Sequence, residues 1–245
     1  GVIMTEDKVF LVAPAIKIQF WKEFYKNVMN NNCNIEIIFV GHNSPNFRLP
    51  PNFHYIHSTE SPVHCARIAY EKAYELAQDN DFIQNTADDC LYSENHFDNM
   101  ISAYRKQESL YPDTPILCGP ASYNGDVMNL MALFAAADCK HPVDISRRQE
   151  ACRRAGGTEK DLGCLLEGPA LPTGNFSTIA TSKLLGGINT SYEAIYWDCD
   201  QAMVCHSLGG KVIIFESDEV KPVIERQKSN STLYVRFGAR DFKRI

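Results

Sequence analysis

The sequence predicts an α/β fold: a single domain with a mostly parallel central sheet flanked by helices. Two observations lead there. Over residues 8–120, short apolar runs rich in β-forming residues alternate with longer segments whose apolar residues recur at helical spacing. That alternation is the pattern of a parallel sheet covered on both faces. Two adjacent acids, Asp88 and Asp89, then fall between one strand-like run and the next helix-like segment. Carboxyl ends of strands are where open α/β sheets bind ligands.

The elements follow in order. Residues 8–13 (KVFLVA) read as a buried strand, and residues 18–30 carry Phe20, Trp21, Phe24, Tyr25 and Val28 at helical spacing. A polar turn over residues 30–34 leads to a second strand, residues 35–40, which ends in Gly41, His42, Asn43 and Ser44. A proline-rich loop covers residues 45–52, and residues 54–57 form a short third strand. Ser61 and Pro62 open a helix over 63–77, with proline suited to the first turn. Strand 81–84, helix 94–105 and strand 115–119 complete the first half.

The second half is less regular. Residues 144–163 are charged and broken by glycine, an excursion over the active face, and residues 166–178 return as extended chain. A short helix over 181–185 closes on Gly186 and Gly187. A helix over 198–208 and a strand over 211–215 follow.

Bulk composition narrows the function classes. With 245 residues, 44% hydrophobic and 22% charged, the chain can bury a sizeable core. A net charge of −6 argues against a broad nucleic-acid footprint. Nine cysteines, an odd number with no metal-ligand spacing, indicate free thiols and a reducing, cytoplasmic compartment, with peripheral membrane association left open. No apolar stretch reaches membrane-spanning length, and the opening residues lack the pattern of a signal peptide. Gly1 to Ile3 read as an addition ahead of Met4.

Several residues carry candidate chemistry, each beside a plainer alternative. Asp88 and Asp89 suit a hard divalent cation that also holds a diphosphate, or else an Asx-turn with solvated carboxylates. Asp198 and Asp200 at a helix start suit a general base, or else cap the helix and complement its dipole. Arg67 has Glu71 four residues on, the spacing of a surface ion pair. Gly174 and Asn175 form either a close approach to a ligand or a strand-edge turn.

Taken in order, these segments resemble the GT-A fold of nucleotide-sugar glycosyltransferases. The run Tyr196, Trp197, Asp198, Cys199, Asp200, Gln201, Ala202 and Met203, followed by Gly209, Gly210, Lys211 and Val212, resembles the acidic helix start of the large inverting family. Residues 181–189 (TSKLLGGIN) resemble the segment that precedes that helix. The resemblance spans residues 8–216, with 8–120 as a nucleotide-binding half, 121–216 as an acceptor and catalytic half, and 217–245 as a C-terminal extension.

The resemblance implies specific roles. Asp89 holds Mn²⁺ or Mg²⁺, Asp88 reaches the ribose or the metal's water, and Asp198 is the general base of an inverting transfer. Ala13, Pro14, Asn43, Arg67 and Asn175 join Asp88 in donor binding. The implied partners are a nucleotide-sugar donor, with UDP the leading nucleotide, and a glycan or glycoconjugate acceptor.

Three departures stand out. Ala87 replaces a frequent first aspartate, Trp197 replaces the acid before Asp198, and the second strand ends without the usual base-binding aspartate. Three other readings stay open: a retaining transferase, a nucleotidyltransferase of similar sheet, and a non-catalytic nucleotide-sugar or glycan-binding domain.

Overall fold

A computed structural model of the chain describes residues 6–120, 174–192, 197–215 and 225–226. Side chains of Pro120, Trp197, Asp198, Cys199, Met203, Ile214, Phe215, Glu225 and Arg226 lie outside that description. The excursion over residues 144–163 and most of the extended return lie outside it as well.

The architecture is α/β, built on one seven-stranded sheet. Its strands are β1 (Lys8–Pro14), β2 (Asn34–Gly41), β3 (Phe53–His57), β4 (Phe82–Asn85), β6 (Ile116–Pro120), β7 (Phe176–Thr178) and β8 (Lys211–Phe215), in the order β3-β2-β1-β4-β7-β6-β8. All neighbours are parallel except β7, which runs antiparallel to both β4 and β6. Two residues, β5 (Cys90–Leu91), follow the acid pair and pair antiparallel with β9 (Glu225–Arg226). The helices are α1 (Trp21–Val28), α2 (Pro62–Leu76), α3 (His96–Leu110), α4 (Ile179–Leu184) and α5 (Trp197–Ser207).

Strand periodicity divides the core between the two faces. Val9, Leu11 and Ala13 of β1, with Ile35, Ile37 and Phe39 of β2, pack with Trp21, Phe24 and Val28 of α1 and with Phe97, Met100 and Tyr104 of α3. The alternate residues Phe10, Val12, Ile38 and Val40 pack with Val63, Ala66, Ala69 and Tyr70 of α2. Successive side chains of a strand point to opposite faces, so two-sided burial demands the continuous apolar runs seen in the sequence.

Most element boundaries lie one to five residues from the expectation, and two of the shifts have a plain physical reason. The first helical segment starts as a 3-10 turn (Ile18–Phe20) and its α-helix ends at Val28, where the Asn30 amide turns back to the Asn27 carbonyl at 3.2 Å. The following asparagines then serve another helix. Asn31 Oδ1 accepts from the Phe97 amide at 2.9 Å, and Asp98 Oδ1 accepts from the Cys33 amide at 2.9 Å. That long-range cap starts α3 at His96 rather than at Glu94, after Asn95 in a left-handed conformation (φ 57°). Capping by a residue 66 positions away cannot be read from local sequence.

Gly41 permits the closest approach near the future cleft. A Cβ there would lie 2.1 Å from the Ala15 carbonyl oxygen. The Ala15 amide is itself held by the Val40 carbonyl at 2.9 Å, so the β1 loop cannot move away without losing that bond. Gly41→Ala is therefore expected to destabilise the protein by about 1–3 kcal/mol, the range for overpacking. Urea unfolding checks this, and an unchanged midpoint would show that the two loops are free to separate.

Candidate functional site

The parallel strands β1, β2 and β4 all point their carboxyl ends to one rim. A cleft of about 540 Å³, part of it open to solvent, lies there. Pro14, Lys17, Gly41, His42, Glu60, Cys65, Asp88 and Asp89 are among its lining residues. They come from the loop after β1, the end of β2, the start of α2 and the loop after β4. The crossover connections of a parallel sheet bring these segments together, although up to 75 residues separate them.

The two aspartates are buried and have different surroundings. Asp88 is 4% exposed, and its Oδ2 accepts from the Lys17 backbone amide at 2.6 Å and from the Trp21 indole Nε1 at 3.0 Å. Burial pushes its carboxyl pKa up, while the bonds from Trp21 and Lys17 pull the other way. Asp89 is 3% exposed and receives the Lys17 ammonium on Oδ2 at 2.6 Å. Lys17 thus meets both acids, one through its backbone and one through its side chain.

Trp21 anchors the arrangement from below. Its ring packs against Phe39, Phe53 and Tyr55 at centroid distances of 5.3, 5.6 and 5.6 Å. A buried indole N–H needs an acceptor, and Asp88 supplies it. The sequence marked Trp21 only as an apolar position of the helix.

The other expected donor residues are placed as follows. Pro14 lines the cleft, and Ala13 is buried in the α1 face of the core. The Asn43 side chain donates to the Ile16 carbonyl at 2.9 Å and so braces the β1 loop. Arg67 lies on α2 with its guanidinium 3.9 Å from Glu71, the surface pairing that the spacing allowed. Asn175 is 2% exposed and sits at the base of β7 rather than among the cleft's lining residues.

Asn175 instead takes part in a buried polar relay. Its backbone amide donates to Asn85 Oδ1 at the end of β4, and its Nδ2 donates to Gln201 Oε1 at 2.6 Å. Gln201 Nε2 in turn reaches the Gly187 carbonyl at 3.0 Å. Gly174 enters this relay with φ 88°, a conformation that favours glycine. The relay ties α5 to the strand that leads to the acid pair. The backbone of Asp198 lies in the first turn of α5, and its side chain is outside the described residues. Asp200 Oδ1 accepts from Asn189 Nδ2 at 3.3 Å, and burial raises its carboxyl pKa against that bond.

Among the described residues, no group of three or more His, Cys, Asp or Glu side chains converges as a cage for a metal. Mg²⁺-like cations are often held by one or two carboxylates and completed by substrate phosphates and water. Asp89, lining an open cleft beside Asp88, fits that shared mode of binding.

No protein-family model matches the sequence, and no curated protein does. The fold resembles that of a mannosyltransferase from Pyrobaculum calidifontis, solved in complex with GDP-Man and Mn²⁺. The TM-score is 0.53 at 13% identity, covering 99% of this chain and 63% of the other. A weaker likeness, TM-score 0.43 at 10% identity, is to 2-C-methyl-D-erythritol 4-phosphate cytidylyltransferase from Francisella tularensis, covering 98% of this chain and 100% of that one. The first likeness establishes the fold class, a GT-A-like α/β arrangement. The chain spans under two thirds of that mannosyltransferase's length. No helix among the described residues is long and apolar enough to cross a membrane.

The clamp on Asp88 yields two expectations. Asp88→Ala strands the buried Trp21 indole N–H and the part-buried Lys17 amide, and should cost about 1–3 kcal/mol for each one that finds no acceptor. Asp88→Asn keeps an acceptor oxygen without the buried charge and should cost less. Urea denaturation of both variants tests the order. Because burial raises this carboxyl, the folded chain takes up the proton more readily than the unfolded chain. The group's effect on stability therefore becomes more favourable as pH falls through its folded pKa. Carboxyl NMR should find Asp88 titrating above the ordinary aspartate value of about 3.9.

Proposed function

We propose that the protein is a metal-dependent glycosyltransferase that moves a sugar from a nucleoside-diphosphate donor to a hydroxyl of a glycan or glycoconjugate. The observation that carries this reading is the cleft at the carboxyl rim of β1, β2 and β4, with the buried Asp88 and Asp89 in its wall. The fold likeness to a transferase solved with GDP-Man and Mn²⁺ agrees with it.

In this reading the chain's own residues divide the work. Pro14, Gly41 and the start of α2 form the walls against which the nucleoside rests, and His42 and Glu60 offer polar groups to it. The base is uracil or guanine. The β2 end suggests no preference, and the fold neighbour was solved with a guanine nucleotide. Asp89, with Asp88 behind it, would hold Mn²⁺ or Mg²⁺, whose charge offsets the negative charge developing on the departing nucleoside diphosphate. Arg67 and Asn43 are secondary: one is on the adjacent helix and the other steadies the loop beneath the donor.

Asp198 is the proposed general base. It would accept the acceptor hydroxyl's proton as that oxygen attacks the anomeric carbon from the face opposite the leaving group, giving inversion. The buried relay Asn85–Asn175–Gln201 supports this role, because it fixes the helix bearing Asp198 to the strand that leads to the acid pair. Asn175 then acts on the donor site by positioning.

Two measurements test the reading. A hydrolysis screen of UDP- and GDP-linked sugars with Mn²⁺ should find turnover that Asp89→Ala abolishes; turnover of the same size in the variant would remove the metal role. Asp198→Asn should lower transfer by about 10²–10⁴-fold, the usual contribution of general acid–base catalysis, with donor affinity unchanged. Full transfer activity in that variant would favour a retaining route.

A further inference from the structure

The contact between Lys17 and Asp89 poses an electrostatic problem for the proposed donor. Three carboxylates line the cleft (Glu60, Asp88 and Asp89), and Lys17 is the lysine or arginine among its lining residues. An incoming nucleoside diphosphate would add further negative charge to this surplus. A divalent cation offsets it, but Asp89 Oδ2, the oxygen facing the Lys17 ammonium at 2.6 Å, is already engaged. A cation bound to Asp89 through either oxygen would lie within a few ångströms of that ammonium, and two positive charges so close repel strongly in a partly buried site.

The geometry indicates where the lysine would go. Its backbone is fixed, with the amide donating to Asp88 Oδ2 at 2.6 Å. Its side chain is 18% exposed on a flexible four-carbon stem, while Asp89 is 3% exposed. When displaced from Asp89, the ammonium therefore stays at the cleft, and the anion it would meet there is the diphosphate. We propose that Lys17 is a resident counter-cation of Asp89, which an incoming divalent metal displaces onto the donor diphosphate. This rests on the functional reading above and adds to it. Lys17 neutralises the acid before the metal arrives, opposes metal binding while the nucleotide is absent, and strengthens nucleotide binding once the metal is present. Metal and nucleotide are then linked through one side chain, and such linkage must be reciprocal.

A lysine that only pinned the loop would behave differently, because its loss would weaken both ligands together. The test titrates the full chain with MnCl₂ alone, followed by electron paramagnetic resonance, and then with GDP and with UDP at saturating Mn²⁺, followed by calorimetry. Lys17→Met should bind Mn²⁺ alone more tightly and the nucleoside diphosphate more weakly, each by roughly tenfold, the scale of one charge-assisted hydrogen bond. Lys17→Arg keeps the charge and can grip the carboxylate at two points, so it should bind Mn²⁺ alone more weakly than the wild type. This second variant carries the test if Lys17→Met does not fold. Changes of the same sign for metal and nucleotide in Lys17→Met, no change in either, or unaltered Mn²⁺ binding in Lys17→Arg would overturn the proposal. A wild-type chain that binds neither GDP nor UDP with Mn²⁺ would overturn the functional reading itself. Wild-type binding with Lys17→Met unaffected would remove only the role of the lysine.

Discussion

The site depends on one buried oxygen. Asp88 Oδ2 accepts the Trp21 indole N–H and the Lys17 amide, and through them the loop after β4 is fastened to the loop after β1. Trp21 provides the anchorage, because its ring is locked in an aromatic cluster with Phe39, Phe53 and Tyr55 across β2 and β3. The carboxylate pays a desolvation penalty, visible as its raised pKa, and two charge-assisted bonds offset part of it. The same fastening places the Lys17 side chain against Asp89. The electrostatics of the cleft therefore follow from a packing decision made in the core.

The second half of the molecule is joined to the first by a different device. β7 inserts antiparallel between β4 and β6, and Asn175, the residue before it, links Asn85 to Gln201 of α5. Buried polar networks of this kind are costly when incomplete and specific when satisfied. Here the network sets the position of the helix that bears Asp198 without placing Asn175 itself in the cleft. It gives a physical reason for a buried asparagine beside a positive-φ glycine, a pair that by sequence resembled a donor contact.

The fold was legible where a single local rule decides. The continuous apolar runs of β1 and β2 mark two-sided burial, and the strand at 211–215 has the same residues in sequence and structure. Pro62 marks the start of α2. The acid pair stood out as a candidate because two carboxylates come just after a strand that the apolar pattern marks. What escaped notice depends on distant partners. The direction of β7, the capping of α3 by Asn31 and the pairing of β5 with residues 225–226 are contacts across 66 or more positions. Lys17 and Trp21 were missed for the same reason, since nothing near them in sequence announces an aspartate 71 or 67 residues on. The one local signal at Trp21 is chemical: a tryptophan on the apolar face of a helix carries an N–H that must find an acceptor once buried.

In the proposed function, a nucleoside diphosphate and a divalent cation meet at the Asp88–Asp89 rim. Hydrogen exchange with and without GDP or UDP in Mn²⁺ tests it most directly, because it reports where the ligand sits without requiring the acceptor. Slower exchange is expected to be confined to residues 14–17, 41–42, 60–65 and 86–89, with no such slowing for at least one of the two nucleotides when Mn²⁺ is withheld. Protection elsewhere in the chain, or equal protection without the metal for both nucleotides, would contradict it.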